Sequence, residues 1–131
     1  MAELIVDASI LSAVFLREKG SEQIRNVIES ETALFAPSFW RFEVSNAVWK
    51  RKDLPMKVAK ELIKTIWGFH TYTNESEEIA LEGMDIAHKF GITFYDSFYI
   101  AMAKYFGIPL WTMDKVQVKA AVEVGVSLWE R

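Results

Sequence analysis

The chain contains no cysteine. That excludes a disulfide framework, a thiolate metal site and a cysteine nucleophile, so any chemistry must run on oxygen or imidazole groups. Imidazole is scarce as well: His70 and His88 are the only two. Their separation does not match a metal-ligand pair, and both read as ordinary surface or core residues. No apolar run approaches the ~18 residues that a membrane-spanning helix needs. The start, "MAELIVDAS", carries acids where a secretory signal has a basic start and a long apolar stretch. A soluble, cytoplasmic protein without a membrane partner is expected. Linkers and internal repeats are missing too.

What the chain does have is apolar material, 51% of 131 residues, enough for a substantial core and consistent with a single domain over residues 1–131. Short apolar runs at 3–6, 32–36, 70–73, 108–112 and 126–129 read as strands. The stretches between them carry helical spacing, for example Ile24, Val27 and Ile28, then Leu54, Val58, Leu62 and Ile66, then Ile79, Met84, Ala87 and Phe90. A helix is expected to begin at Pro37, which a first turn tolerates, with Glu43 about two turns inside it. Alternation of strands with helical stretches predicts an α/β domain: a mainly parallel central sheet of four to five short strands with helices on both faces.

Within "FYDSFYIAMAKYFG" the carboxylate of Asp96 stands among aromatic and aliphatic side chains. Taken alone, it reads as a helix-opening residue that accepts backbone N–H bonds. Three other acids change its meaning. Functional groups of open parallel sheets gather past the C-terminal strand ends, where Asp7 and Asp114 fall, and Glu43 follows a third strand closely enough to lean back toward the same edge. Convergence of these carboxylates is unfavourable without a cation, because like charges raise one another's pKa. Scattered oxygen ligands suit a hard divalent ion, Mg²⁺ or Mn²⁺, and suit zinc poorly. Such ions activate water and stabilise the leaving oxygen in phosphodiester hydrolysis. The residues alone leave other Mg²⁺-binding proteins open.

The elements "IVDASIL", "APSFWRFEVSNAV" and "GITFYDSFYIAMAKYFGIPLWTMDK", in this order and spacing and with helical filling between them, resemble PIN-domain ribonucleases. More narrowly, they resemble the VapC-type toxins of prokaryotic toxin–antitoxin pairs, over nearly the whole chain. The resemblance implies a PIN-like fold and a Mg²⁺-dependent endoribonuclease, with Mn²⁺ as a substitute, that leaves 5′-phosphate and 3′-hydroxyl ends on RNA. It implies that Asp7, Glu43, Asp96 and Asp114 form the metal-binding and catalytic set, with Ser9 and Thr112 orienting a carboxylate or a water. It also implies a homodimer held inactive by a cognate antitoxin, which lays a segment over the middle helices and places an Arg among the carboxylates. Residues 53–76 carry no matching signature.

Setting the four acids aside leaves 14 acidic against 15 basic residues, so a neutralised site would let the bases dominate nearby toward a polyanion. The run Lys50, Arg51, Lys52 reads as a solvated helix terminus, with RNA phosphate contact as the competing use. Arg41 suits a phosphate or an ion pair. Glu82 and Asp85 read as a solvated helix face. Trp40, Trp49, Trp67 and Phe69 read as core packing, with a partner interface as the competing use. Two other function classes stand beside the nuclease. A phospho-accepting receiver domain would need adjacent acids after the first strand, and "IVDAS" supplies one. A catalytically silent PIN-like RNA-binding or scaffolding module remains the alternative.

Overall fold

The computed structural model describes residues 2–30 and 32–130. Strand β1 (Ala2–Val6) opens the chain and lies centrally, in the order β2-β1-β3 with β2 (Thr32–Phe35) and β3 (Leu110–Trp111), all parallel. Ala2 stands opposite Thr32 and Ile5 opposite Phe35 on one side; Ile5 and Val6 stand opposite Leu110 and Trp111 on the other. Leu4, Ile5 and Val6 are all buried. Because successive strand residues face opposite ways, both faces of β1 are covered, as a parallel sheet requires.

The described sheet has three strands, where four to five were expected. The two remaining candidates are reduced to single parallel bridges, Tyr72 against Phe35 and Leu128 against Leu110. At the first edge Tyr72 N–H donates to Leu34 O (2.8 Å) and Ala36 N–H to Tyr72 O (3.0 Å). The next bond of that ladder would come from Asn74 N–H to Ala36 O. Instead the Thr73 hydroxyl, from the partner segment, takes Ala36 O at 3.0 Å, and the backbone ladder stops there. At the other edge β3 itself is two residues long, so residues 126–129 have little backbone to pair with.

Helices α1 (Ala8–Phe15), α2 (Ser21–Glu29), α3 (Trp40–Lys50) and α4 (Met56–Gly68) pack in sequence, α1 against both α2 and α3 and α3 against α4. A second group holds α5 (Glu77–Phe90), α6 (Phe94–Phe106) and α7 (Lys115–Glu123), with α6 lying on β1 and β3. Ser97 through Ala103 of α6 are buried without a break, the mark of a helix enclosed on every side. Trp40 is likewise fully buried, its ring against Phe15 and Phe69 and its indole N–H on Thr71 Oγ1 at 3.0 Å.

Some expected faces differ. Met84 and Val58 are exposed: an apolar residue at helical spacing is buried only where another element covers that arc of the helix. The third helix starts at Trp40, after a turn closed by Trp40 N–H on Pro37 O (3.1 Å), so Glu43 sits in its first turn. Of the middle-helix aromatics, Trp40 belongs to the core and Phe69 is half-buried, whereas Trp49 and Trp67 lie exposed. Among the described residues no helix is long and apolar enough to cross a membrane.

Candidate active site

Asp7 directly follows β1, and its N–H makes the last bond to β3, on Trp111 O at 3.3 Å. Its carboxylate is buried and held from three directions. Oδ1 accepts the Ser9 hydroxyl (2.7 Å) and Ile10 N–H (3.2 Å), and Oδ2 accepts the Thr112 hydroxyl (2.6 Å). The bond from Ile10 also makes Asp7 the N-cap of α1. Both hydroxyls accept in turn, Ser9 from Met113 N–H (3.0 Å) and Thr112 from Asp114 N–H (2.9 Å). Ser9 and Thr112 thus join the end of β1 to the turn after β3. Burial pushes the Asp7 carboxyl up to about 6; the bonds from Ser9, Thr112 and Ile10 oppose that rise and the Asp114 charge adds to it.

Asp114 caps α7, its Oδ1 accepting Val116 N–H at 2.8 Å and Gln117 N–H at 3.4 Å. Asp96, expected to open its helix as a cap, does not. Thr93 is the cap of α6, its hydroxyl accepting Asp96 N–H at 3.2 Å. Relieved of that duty, the Asp96 carboxylate accepts Gln117 Nε2 at 3.1 Å. Burial and then the Asp114 charge raise its pKa, against the bonds from Gln117 and Thr93. The first turn of α3 brings Glu43 to the buried Tyr99, whose hydroxyl donates to Oε1 at 2.7 Å. Burial, Asp96 and Asp7 raise Glu43 while the Tyr99 bond lowers it. The Tyr99 phenol is itself pushed up, by burial first and by Glu43 next.

These influences close a ring, Asp7 with Asp114, Asp114 with Asp96, Asp96 with Glu43 and Glu43 with Asp7. Four residues that are far apart in sequence therefore share one electrostatic neighbourhood. Among the described residues, however, no three acidic or histidine groups stand close enough to make a ready metal cage. Nor, among these residues, does an ion pair reach any of the four. The chemistry of the donors fits Mg²⁺ or Mn²⁺: the groups are hard oxygens lacking a cationic partner, and such ions commonly use one or two carboxylates, completing their shell with water and phosphate.

The other candidates lie elsewhere or serve the fold. Arg41 donates from Nη2 to Phe69 O at 2.5 Å and lies 4.8 Å over the Trp40 ring, tying α3 to the end of α4. Lys50 and Lys52 are exposed, and Arg51 pairs with Asp53 at 2.8 Å. Glu82 pairs with Lys104, Asp85 is exposed, and His70 packs edge-on to Tyr72. Two residues escaped the sequence reading as partners of the acids. Gln117 lies one helical turn past Asp114, a spacing that could have marked it. Tyr99 lies 56 positions from Glu43, and no local pattern connects them.

A family model described as the PIN domain matches residues 4–123. Ribonuclease VapC3 from Pyrobaculum aerophilum is 30% identical over 122 residues, which cover 86% of this chain and 90% of that one. The crystal structure of VapC20 from Mycobacterium tuberculosis, described as a toxin cleaving the sarcin-ricin loop, superposes with a TM-score of 0.73 at 11% identity, covering 98% of this chain and 99% of the other. A toxin-antitoxin complex from Klebsiella pneumoniae contains a chain with a TM-score of 0.57 at 17% identity, covering 87% of each. At those identities the two structures speak for the fold, while the family match and the 30% relative speak for kinship. With strand-end acids, helix order and sequence agreeing, the chain belongs to the PIN domain family, in its VapC-type branch.

Proposed function

We propose that the protein is a divalent-metal-dependent endoribonuclease, the toxin of a type II toxin–antitoxin pair, acting on RNA phosphodiesters in the cytoplasm. The observation that carries this reading is a set of four carboxylates linked one to the next by charge influence, each with neutral hydrogen-bond partners and without a cationic partner among the described residues. Asp7, Asp96 and Asp114 would hold Mg²⁺ or Mn²⁺, and Glu43 would hold a second ion or orient the attacking water. A bound divalent ion supplies Lewis-acid polarisation of the phosphodiester and neutralises charge developing there. Ser9 and Thr112 fix both oxygens of Asp7, so that carboxylate needs no reorientation when substrate arrives. The same ring would welcome an arginine from an antitoxin, whose guanidinium pairs well with carboxylates. VapC3 is named a ribonuclease and the Klebsiella structure a toxin-antitoxin complex, which supports the activity and that partner. A homodimer belongs to the same proposal.

The alternative, a catalytically silent PIN-like RNA-binding or scaffolding module, draws on the lack of three convergent groups among the described residues. Cleavage of total RNA decides between them. Wild-type protein with Mn²⁺ is expected to give discrete fragments that vanish with chelator and with Asp96→Asn purified identically. RNA binding without cleavage at any Mn²⁺ concentration would favour the silent module.

A further inference from the structure

Gln117 is 2% exposed, in the first turn of α7, and its side chain crosses to α6, where Nε2 donates to Asp96 Oδ1 at 3.1 Å. Its other polar atom, Oε1, is buried without a partner. An unmatched buried acceptor opposes folding, and an apolar side chain of similar length would avoid it. Exchanging the amide oxygen and nitrogen would not help, because a carbonyl would then face the carboxylate. Packing alone therefore does not account for an amide at this position. The bond to Asp96 does.

Resting on the metal-dependent nuclease reading, we propose that Gln117 is a positioning residue, fixing the Asp96 carboxylate relative to Asp114 through one neutral donor between α6 and α7. The two carboxylates repel, so without a tether Asp96 would swing away from the shared site. A lysine or arginine at this position would hold Asp96 too, but it would neutralise the charge that a divalent ion must find there. The amide holds and leaves the charge in place.

The experiment uses Gln117→Met, which keeps an unbranched side chain of similar length and removes the donor, with Gln117→Leu as a second variant of different shape. In the metal-free protein, three-bond couplings measured by NMR across the Asp96 side chain are expected to report one χ1 rotamer in wild type and averaging in both variants. In Mn²⁺-dependent RNA cleavage at saturating metal, kcat is expected to fall about 10- to 100-fold with KM within about twofold. The thermal midpoint is expected to stay at or above that of wild type, since the orphaned acceptor is gone. A single Asp96 rotamer in the variants would overturn the proposal. So would a lowered midpoint with kcat per folded molecule unchanged, the signature of a packing role. If wild type does not cleave RNA, the nuclease reading fails by itself, and the Asp96 couplings still decide whether Gln117 positions it.

Discussion

Asp7 illustrates how one residue serves both fold and site. As the N-cap of α1 it accepts a backbone N–H, and as a buried acid it is held by Ser9 and Thr112. Those bonds do not offset burial, and its native pKa stands at about 6 against 3.8. A native pKa above the unfolded value means that the folded chain binds the proton more tightly. The resulting stability is complete below about pH 4 and is lost as pH rises through 6, a decline of about 3 kcal/mol for a shift of roughly two units. Glu43 and Asp96 are shifted in the same direction. Urea unfolding in EDTA is therefore expected to give a higher midpoint at pH 4.5 than at pH 7.5, with Asp7→Asn removing much of the difference. A flat profile in wild type would contradict the burial argument. The position of Asp7 past the end of β1 was legible in the sequence, because a strand followed at once by an acid is a local pattern. Gln117 and Tyr99 were not, because a hydrogen bond between helices leaves no period in either one.

Among the elements, α6 carries most of the arrangement. Thr93 begins it, Gly107 at φ 66° ends it, and the buried run between presses it onto β1 and β3. Asp96 is presented by the first turn, and the aromatic residues around it lock the helix: Phe39 meets Tyr95, Phe98 and Tyr99 at 5.0 to 5.7 Å. Close approach of α5 is aided by Gly83, yet a Cβ built there would meet Phe94 at 3.5 Å and the Phe98 backbone at 3.7 Å, which is ordinary contact. Gly83→Ala is thus expected to raise stability by about 0.5–1 kcal/mol through lower unfolded-state entropy, whereas Gly107→Ala, forced to a positive φ, is expected to lower it by about 1 kcal/mol. Chemical denaturation of both variants checks the pair of signs. Helix boundaries were largely readable from caps and glycines. The misplacements, Pro37 as a helix start and Asp96 as a cap, arose because Thr93, three residues before Asp96, or a turn ahead of α3, satisfies the same backbone groups.

For the molecule as a whole, the proposed metal site would make metal-free stability and metal affinity opposing properties. Asp7, Glu43 and Asp96, each pushed up first by burial, weaken the fold at neutral pH, and a ligand bound only by the native state returns stability with the logarithm of its concentration above Kd. Mn²⁺ at about 100 times its Kd is expected to contribute about 2.7 kcal/mol. The accompanying rise in thermal midpoint should be several degrees at pH 7.5 and much smaller at pH 5, where protons compete for Asp7. Calorimetry with Mn²⁺ and with chelator at the two pH values reads this directly, and equal shifts at both would place the ion away from Asp7. On α3, beside Glu43 in sequence, Phe42 at 68% exposure packs edge-on to Trp67 at 45%, with Trp49 also exposed. The middle helices thus divide their aromatics between the core and an open face, a partition that composition could not foresee.

The sequence by itself determined the α/β alternation, the positions of Asp7 and Asp114 past strand ends, and the family. Each follows from contacts within a few residues or from motifs read along the chain. Only the tertiary structure decided the three-stranded sheet, the ring joining Glu43 and Asp96 to the other two acids, and the donors Tyr99 and Gln117 that hold them. Strand number depends on whether an edge carbonyl meets a backbone amide or a Thr73 hydroxyl. Carboxylate placement depends on how α3, α6 and α7 pack, which is settled by side chains that are distant in sequence and adjacent only once the core has formed.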